Sequence, residues 1–275
     1  MRCAVLGDPI AHTLSPALHR AGYRAVGLDW TYRAVQVPSG SLARYVDGLD
    51  DSWRGLSMTM PLKREALGLS GVRLSRTAEL AEAANTLVFP DRLLDNTDVL
   101  GAVAALTERG VDVDGHEVVI LGGGATAASV GLAVASMGAA RIRMVVRDIT
   151  TASETTRVIA KTGTDLVLGT LNDAGPARLV ISTIPAHAQT EKLVTRLRGS
   201  EAVFDVIYDP WPTPLAAACT GTLVSGLDLL VHQAALQFEL FTGQPAPMAA
   251  MRVAGENALA ERSVPEIVES EQSGE

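Results

Sequence analysis

From residue 2 to about 95, short apolar runs of strand length alternate with stretches whose apolar positions recur at helical spacing. The strand-like runs are Cys3–Leu6, Thr31–Val37, Gly55–Met58 and Thr86–Phe89; the helical ones are Ser15–Val26, Ser41–Leu49 and Leu62–Leu69. That alternation predicts an α/β domain. A further helical pattern from about Val99 to Arg109 leads into "VDVDGHEVVIL", where Asp-Gly marks a turn before a strand apolar on both faces, and a second domain is expected from here. Strands at 117–121, 141–146, 165–168, 178–183, 202–206 and 222–224, separated by helices or short Gly/Pro loops, predict a doubly wound parallel sheet. Near the end, "SGLDLLVHQAALQFELFTG" predicts one helix, with Ser225 as cap, Asp228 three residues on, an apolar stripe of Leu227, Leu230, Val231, Ala234 and Phe238, and Gly243 as the stop. A last helix around Met248–Arg262 precedes "SVPEIVESEQSGE", whose acidic end, 266–275, is expected to be disordered.

Composition narrows the class. At 275 residues the chain can bury a sizeable core, and 47% hydrophobic with 20% charged residues is an ordinary globular balance. A formal charge of −8 argues against nucleic acid or an anionic membrane as partner, since both are held chiefly by Lys and Arg. No stretch approaches 18 uncharged apolar residues, so a soluble, cytoplasmic protein is expected. Cys3 lies in the first strand and Cys219 in an Ala-rich helix, without a CxxC, and both read as buried reduced thiols. The five histidines show no ligand spacing, and no metal is indicated.

Four segments carry chemistry. "EVVILGGGATAASVGLAVASMG" holds Gly122-x-Gly124-x-x-Ala127 between a strand and a helix, the setting a dinucleotide fingerprint requires: a tight turn, a backbone that can approach a pyrophosphate, and a helix N-terminus with free N–H donors. At the end of the next strand stand Arg147, suited to the 2′-phosphate of NADP, and Asp148, suited to the ribose hydroxyl of NAD. "GLSMTMPLKREAL" makes Pro61 a first helical position and puts Lys63 in the first turn, where the dipole disfavours a cation and a lysine that exchanges protons with a substrate oxygen is well placed. "GDPIAHTLSPALHR" sets Thr13 and Ser15 before Pro16; Ser15 reads either as a helix cap or, with Thr13, as a pocket wall. Asn96, Thr97 or Asp98 of "LDNTDVLGAV" caps the following helix.

In this order these segments resemble the shikimate dehydrogenases of the aromatic amino-acid pathway over nearly the whole chain. "GDPIAHTLSP" is similar to the family's opening motif, "SMTMPLK" to the segment with a substrate threonine and the catalytic lysine, and "AANT" and "NTD" to those with an asparagine and the second catalytic residue. "GGGATAAS" matches the phosphate loop, "DVIYDPWPTPL" provides Val206 and Tyr208, and "SGLDLLVHQAA" provides Gly226 and Gln233. Departures are Thr13 where serine is usual, Ser57-Met58 for Asn-Val, Val99 for a frequent glycine, Val146-Arg147-Asp148 for Asn-Arg-Thr, and a Ser182–Pro185 stretch without the common Asn-x-Thr. None removes a catalytic group.

The resemblance implies two α/β domains flanking an active-site cleft: residues 1–98 with 232–265 for substrate, and 99–231 as a Rossmann-type NADP-binding domain. It implies Lys63 and Asp98 as catalytic residues, and Thr13, Ser15, Thr59, Asn85, Tyr208 and Gln233 as substrate ligands. Gly122, Gly123, Gly124, Ala125, Thr126, Arg147, Val206 and Gly226 would hold NADP. The implied reaction is reversible NADPH-dependent reduction of 3-dehydroshikimate to shikimate. The alternatives are a quinate/shikimate dehydrogenase using NAD and a non-catalytic NADP-binding sensor. A homodimer is left open.

Overall fold

The computed structural model describes residues 1–263. The expected disordered tail, 266–275, lies outside the described residues. The first part of the chain runs β1 (Arg2–Gly7), α1 (Ser15–Ala25), β2 (Thr31–Gln36), α2 (Leu42–Asp47), β3 (Trp53–Met58), α3 (Leu62–Glu65), β4 (Arg73–Leu74), α4 (Arg76–Ala81), β5 (Thr86–Val88) and β6 (Leu93–Asp95). Its six strands form one sheet in the order β2-β1-β3-β5-β6-β4. The sheet is mixed: β1 pairs in parallel with β2 and β3, and β4 with β6, but β3–β5 and β5–β6 are antiparallel. No pattern in the sequence predicts β4, α4 or β6, because such short elements carry too few positions for a period to register. The helix expected over Leu62–Leu69 is shorter, continuing past Glu65 as a 3-10 turn at Ala66–Gly68.

α5 (Thr97–Glu108) carries the chain into a second unit: β7 (Glu117–Leu121), α6 (Ala125–Ser136), β8 (Arg141–Val146), α7 (Ser153–Ala160), β9 (Asp165–Thr170), β10 (Leu179–Ser182), α8 (Glu191–Leu197), β11 (Ala202–Asp205), α9 (Pro214–Ala218) and β12 (Thr222–Val224). All six strands are parallel, in the order β12-β11-β10-β7-β8-β9. Strand order reverses between β7 and β10, and open α/β sheets bind ligands in the crevice at such a point. α10 (Gly226–Thr242) and α11 (Met248–Ser263) then pack back on α1, and α10 also touches β3 and β5.

Both sheets are covered on both faces, so β1 and β7 are apolar beyond their first residue rather than alternating. On β1, Ala4 and Leu6 face a core with Leu56 and Leu62, while Cys3 and Val5 face one with Leu18, Phe238 and Phe241. On β7, Val118 and Ile120 pack under α6, and Val119 and Leu121 pack against Leu193 and Leu197 of α8. Burial beneath α1 and α10 pushes the Cys3 thiol up to about 11. Cys219, expected inside a helix and buried, instead follows the end of α9 and is only partly covered.

The start of α10 is built as expected. Ser225 accepts from the Asp228 N–H and Asp228 accepts from the Ser225 N–H, a capping box that satisfies two orphan donors, and Gly243 closes the helix at φ +70°. The Asp228 side chain, 2% exposed, also accepts from Arg109 and Arg252, each at 2.8 Å. No helix among the described residues is long and apolar enough to cross a membrane.

Candidate active site

The carboxyl ends of β1 and β3 and the loop after β11 converge with α5, α6 and α10 on a cavity of about 300 Å³. Lys63, Asp98, Thr13, Ser15, Thr59, Asn85, Tyr208 and Gln233 all line it. Thr126, Val206 and Gly226 of the expected cofactor set line it too. Residues drawn from positions 13 to 233 therefore meet in one space.

Lys63 is the second residue of α3; Pro61 is the cap rather than the first helical residue, one place earlier than expected. The ammonium donates to Asp98 Oδ2 at 2.6 Å and to Thr126 Oγ1 at 3.3 Å. The two side chains are 13% and 7% exposed, so solvent screens the pair weakly. Asp98 stands in the first turn of α5, where the helix dipole favours an anion, and Asn96 supplies the cap by accepting from the Asp98 N–H at 3.1 Å. The other carboxylate oxygen, Oδ1, accepts from Asn85 Nδ2 at 2.9 Å. Asn85 is itself held: its Oδ1 accepts from the Thr97 N–H and from Thr86 Oγ1, and its Nδ2 also approaches Gln233 Oε1 at 3.4 Å. Asp98 thus has both oxygens engaged, one by a cation and one by a fixed amide.

At the other end, Leu14 is the cap residue of α1 and Ser15 its first helical residue, with no side-chain cap from Ser15. The serine is displaced from capping because Thr13 takes that place, accepting from the Ser15 N–H at 3.3 Å. Its hydroxyl also donates to Ser15 Oγ at 3.2 Å. Burial pushes the Tyr208 phenol up, partly offset by hydrogen bonds with the Leu14 backbone and Thr13. Three hydroxyls are therefore grouped at the mouth of α1.

The glycine loop lies at the switch point. Gly122 has φ +111°, and a Cβ there would stand 2.3 Å from Thr183 Oγ1 of the loop after β10, so only glycine fits the turn. Gly124 caps α6 and faces open space, and the N–H groups of the next three residues, Ala125, Thr126 and Ala127, have no intrahelical acceptor. This donor cradle fits a pyrophosphate. Gly122, Gly123, Gly124 and Ala125 do not line the cavity itself; they flank it. Arg147 follows the end of β8, exposed and without a side-chain hydrogen bond among the described residues, while Asp148 turns back to accept from the Thr150 N–H and hydroxyl. Those bonds hold the Asp148 carboxyl below its usual range. Among the described residues no group of three or more His, Cys, Asp or Glu is arranged to hold a metal ion.

Three polar lining residues receive no role from the sequence: Ser57, Thr183 and Gln237. Tyr32 donates to Ser57 Oγ at 2.6 Å, Ser57 to Gln237 Oε1 at 2.7 Å, and Gln237 Nε2 to Thr86 Oγ1 and the Asn85 carbonyl. A signal existed for Gln237. It lies four residues after Gln233, on the same face of a helix read as an apolar stripe.

Residues 5–87 match the family model described as the shikimate dehydrogenase substrate binding domain, and residues 226–254 that of the shikimate 5′-dehydrogenase C-terminal domain. A shikimate dehydrogenase (NADP(+)) from Methanosarcina acetivorans is 35% identical over 269 residues, covering 90% of this chain and 95% of that one. The crystal structure of Mycobacterium tuberculosis shikimate dehydrogenase superposes with a TM-score of 0.84 at 37% identity, covering 93% of this chain and 99% of the other. Shikimate 5-dehydrogenase from Thermus thermophilus, solved with NADP(H) and shikimate, gives 0.83 at 28% identity, with coverage of 94% and 99%.

Proposed function

The chain belongs to the shikimate dehydrogenase family, and from that premise we propose how its own side chains carry out the family's reaction. The reaction is the reversible, NADP-dependent reduction of 3-dehydroshikimate to shikimate, an oxidoreductase step. The observation that carries the reading is the Lys63–Asp98 pair, 2.6 Å apart in a cavity whose far wall is the first turn of the glycine-loop helix.

Bound NADPH supplies the hydride. As the ring carbonyl becomes a hydroxyl, charge develops on its oxygen, and Lys63 delivers the proton there; in the oxidative direction it takes the proton back. Asp98 holds the ammonium in place and accepts from a substrate hydroxyl, while Asn85 fixes the rotation of the Asp98 carboxylate. Thr13 and Ser15, with Tyr208 beside them, take the substrate carboxylate, and Thr59 and Gln233 bind ring hydroxyls. Gly122, Gly123, Gly124, Ala125 and Thr126 would hold the pyrophosphate and Arg147 the 2′-phosphate, with Val206 and Gly226, which line the cavity, completing the cofactor site. In domain terms, residues 1–98 with 232–265 bind substrate and 99–231 bind cofactor. The enzyme works in the cytoplasm, and light scattering tests whether it does so as a homodimer.

The test is direct. Purified protein with shikimate and NADP should raise nicotinamide absorbance, with NAD and quinate as parallel arms. Binding of NADP without turnover on either acid would sink the reading.

A further inference from the structure

Arg64 follows Lys63 on α3, and the two side chains reach different helices beside the glycine loop. Lys63 touches Thr126, the second residue of α6. Arg64 crosses to α7 instead: its Nη2 donates to Thr155 Oγ1 at 2.9 Å, and its Nη1 lies 2.6 Å from Glu154 Oε2. Thr155 is fully buried, and its hydroxyl donates in turn to the Gly123 carbonyl at 2.6 Å, with the Gly124 carbonyl at 3.2 Å. A hydroxyl has one proton to give, and with the guanidinium donating to one of its two lone pairs Thr155 turns that proton to the loop. The other end of α7 is tied to the same half of the molecule: Glu82, three residues before Asn85, is paired with Arg157 and Lys161.

We propose that Arg64 is a positioning residue which, through Thr155, fixes the direction of the Gly123 and Gly124 peptides and so sets the glycine loop in register with Lys63 across the cleft. Turning those carbonyls toward Thr155 points the peptide N–H groups of the loop the opposite way, toward the site of the pyrophosphate. The chain thereby couples cofactor affinity to a side chain that itself lies in the substrate half. Arg64 does not line the cavity, and the sequence offers no spacing that connects it with Thr155, 91 positions on. The inference rests on the reading above that this loop holds NADP.

Titration of the free enzyme with NADP and, separately, with shikimate tests it. Arg64→Ala and Thr155→Val should each weaken NADP roughly 3- to 30-fold, the range over which a residue outside a site modulates it, and leave shikimate affinity within about twofold. Because both variants cut one chain, the double variant should be no weaker than the worse single. Thr155→Ser, which keeps the hydroxyl, should retain wild-type affinity, and Arg64→Lys, which keeps the charge on Glu154 but not the fork, should recover part of it. Additive losses, equal losses for both ligands, unchanged NADP affinity in Arg64→Ala, or a loss in Thr155→Ser would overturn the proposal. Thr155→Ser and Arg64→Lys keep the test open should Thr155→Val fail to fold. If the wild type binds NADP but does not oxidise shikimate, the functional reading fails and the titrations still decide the role of Arg64.

Discussion

Lys63 Nζ and Asp98 Oδ2 lie 2.6 Å apart although 35 positions separate them in the chain. The strand order places them together: β3 delivers α3 from one side, and the antiparallel β5–β6 pair returns the chain to the same end of the sheet, where α5 begins. A cation and an anion so placed act as one unit.

Loss of a positioned proton donor costs about 10²–10⁴-fold in rate. Lys63→Ala should lower kcat by that order with a much smaller change in KM for shikimate. Asp98→Asn should lower kcat as well, since the ammonium loses its anchor, and the double variant should be little slower than the worse single. A Lys63→Ala enzyme with unchanged kcat and a many-fold higher KM would reduce the lysine to a binding residue.

Cofactor choice is expected to rest on Arg147, exposed and without a side-chain hydrogen bond among the described residues, while Asp148 is committed to Thr150. A charge-assisted bond to a phosphate is worth about 1.5–3 kcal/mol, roughly one to two decades. Arg147→Ala should weaken NADP by that factor and barely touch NAD, read from the ratio of kcat/KM for the two cofactors. Equal losses would give the arginine a structural role.

The hydroxyls at the mouth of α1 should set affinity for the substrate carboxylate. Ser15→Ala and Thr13→Val should each raise KM for shikimate by about tenfold to a hundredfold, the worth of a hydrogen bond to a charged group, and change kcat less. Quinate differs around the carboxylate-bearing carbon, and an extra hydroxyl there must lose its water without replacement, so shikimate should be strongly preferred. Comparable efficiencies on the two acids would contradict the assignment of this end of the cavity.

Asp228 governs stability rather than chemistry. Burial alone would raise its carboxyl, but hydrogen bonds from Arg109, Ser225 and Arg252 outweigh that and hold it below its ordinary value. With the folded value depressed, its contribution is full above the unfolded carboxylate pKa, about 3.9, and is lost as pH falls through the folded value. Asp228→Asn should cost about 2 kcal/mol at pH 7, as a cap and two ion pairs are weakened, and should flatten the acid limb of a plot of Tm against pH. An unchanged acid limb would show that other carboxylates dominate it.

The legible part of the structure is the part that repeats a period or a motif. The second sheet could be read strand by strand, because β7 and β10 are apolar on both faces and β8 ends in an apolar run. The capping box of Ser225 and Asp228 was explicit in the chain, and so were the eight catalytic and substrate candidates, because they sit within compact motifs. What stayed hidden was set by distance. Thr13, rather than Ser15, answers the N–H at the start of α1, which depends on where the turn closes and not on composition. Tyr32, Ser57 and Gln237 form one buried chain of hydrogen bonds from three elements, and each alone reads as a core residue with a polar atom. Arg64 reads as an ordinary charged position on a short helix. Its partner on α7 is visible only once the two halves are together.

The two helices that pass between the halves, α5 and α10, pack side by side along the middle of the molecule. They approach so closely that a Cβ on Gly101 would stand 3.0 Å from the Gln233 Cβ and N. Two covalent crossings laid together hold the halves along one line of contact, and the ties from Arg64 to α7 and from Glu82 to Arg157 and Lys161 lie elsewhere. Asp98, at the head of α5, and Gln233, midway along α10, stand on that line, so the cavity wall they form is part of the crossing itself, whereas the glycine loop is held against it by side chains alone.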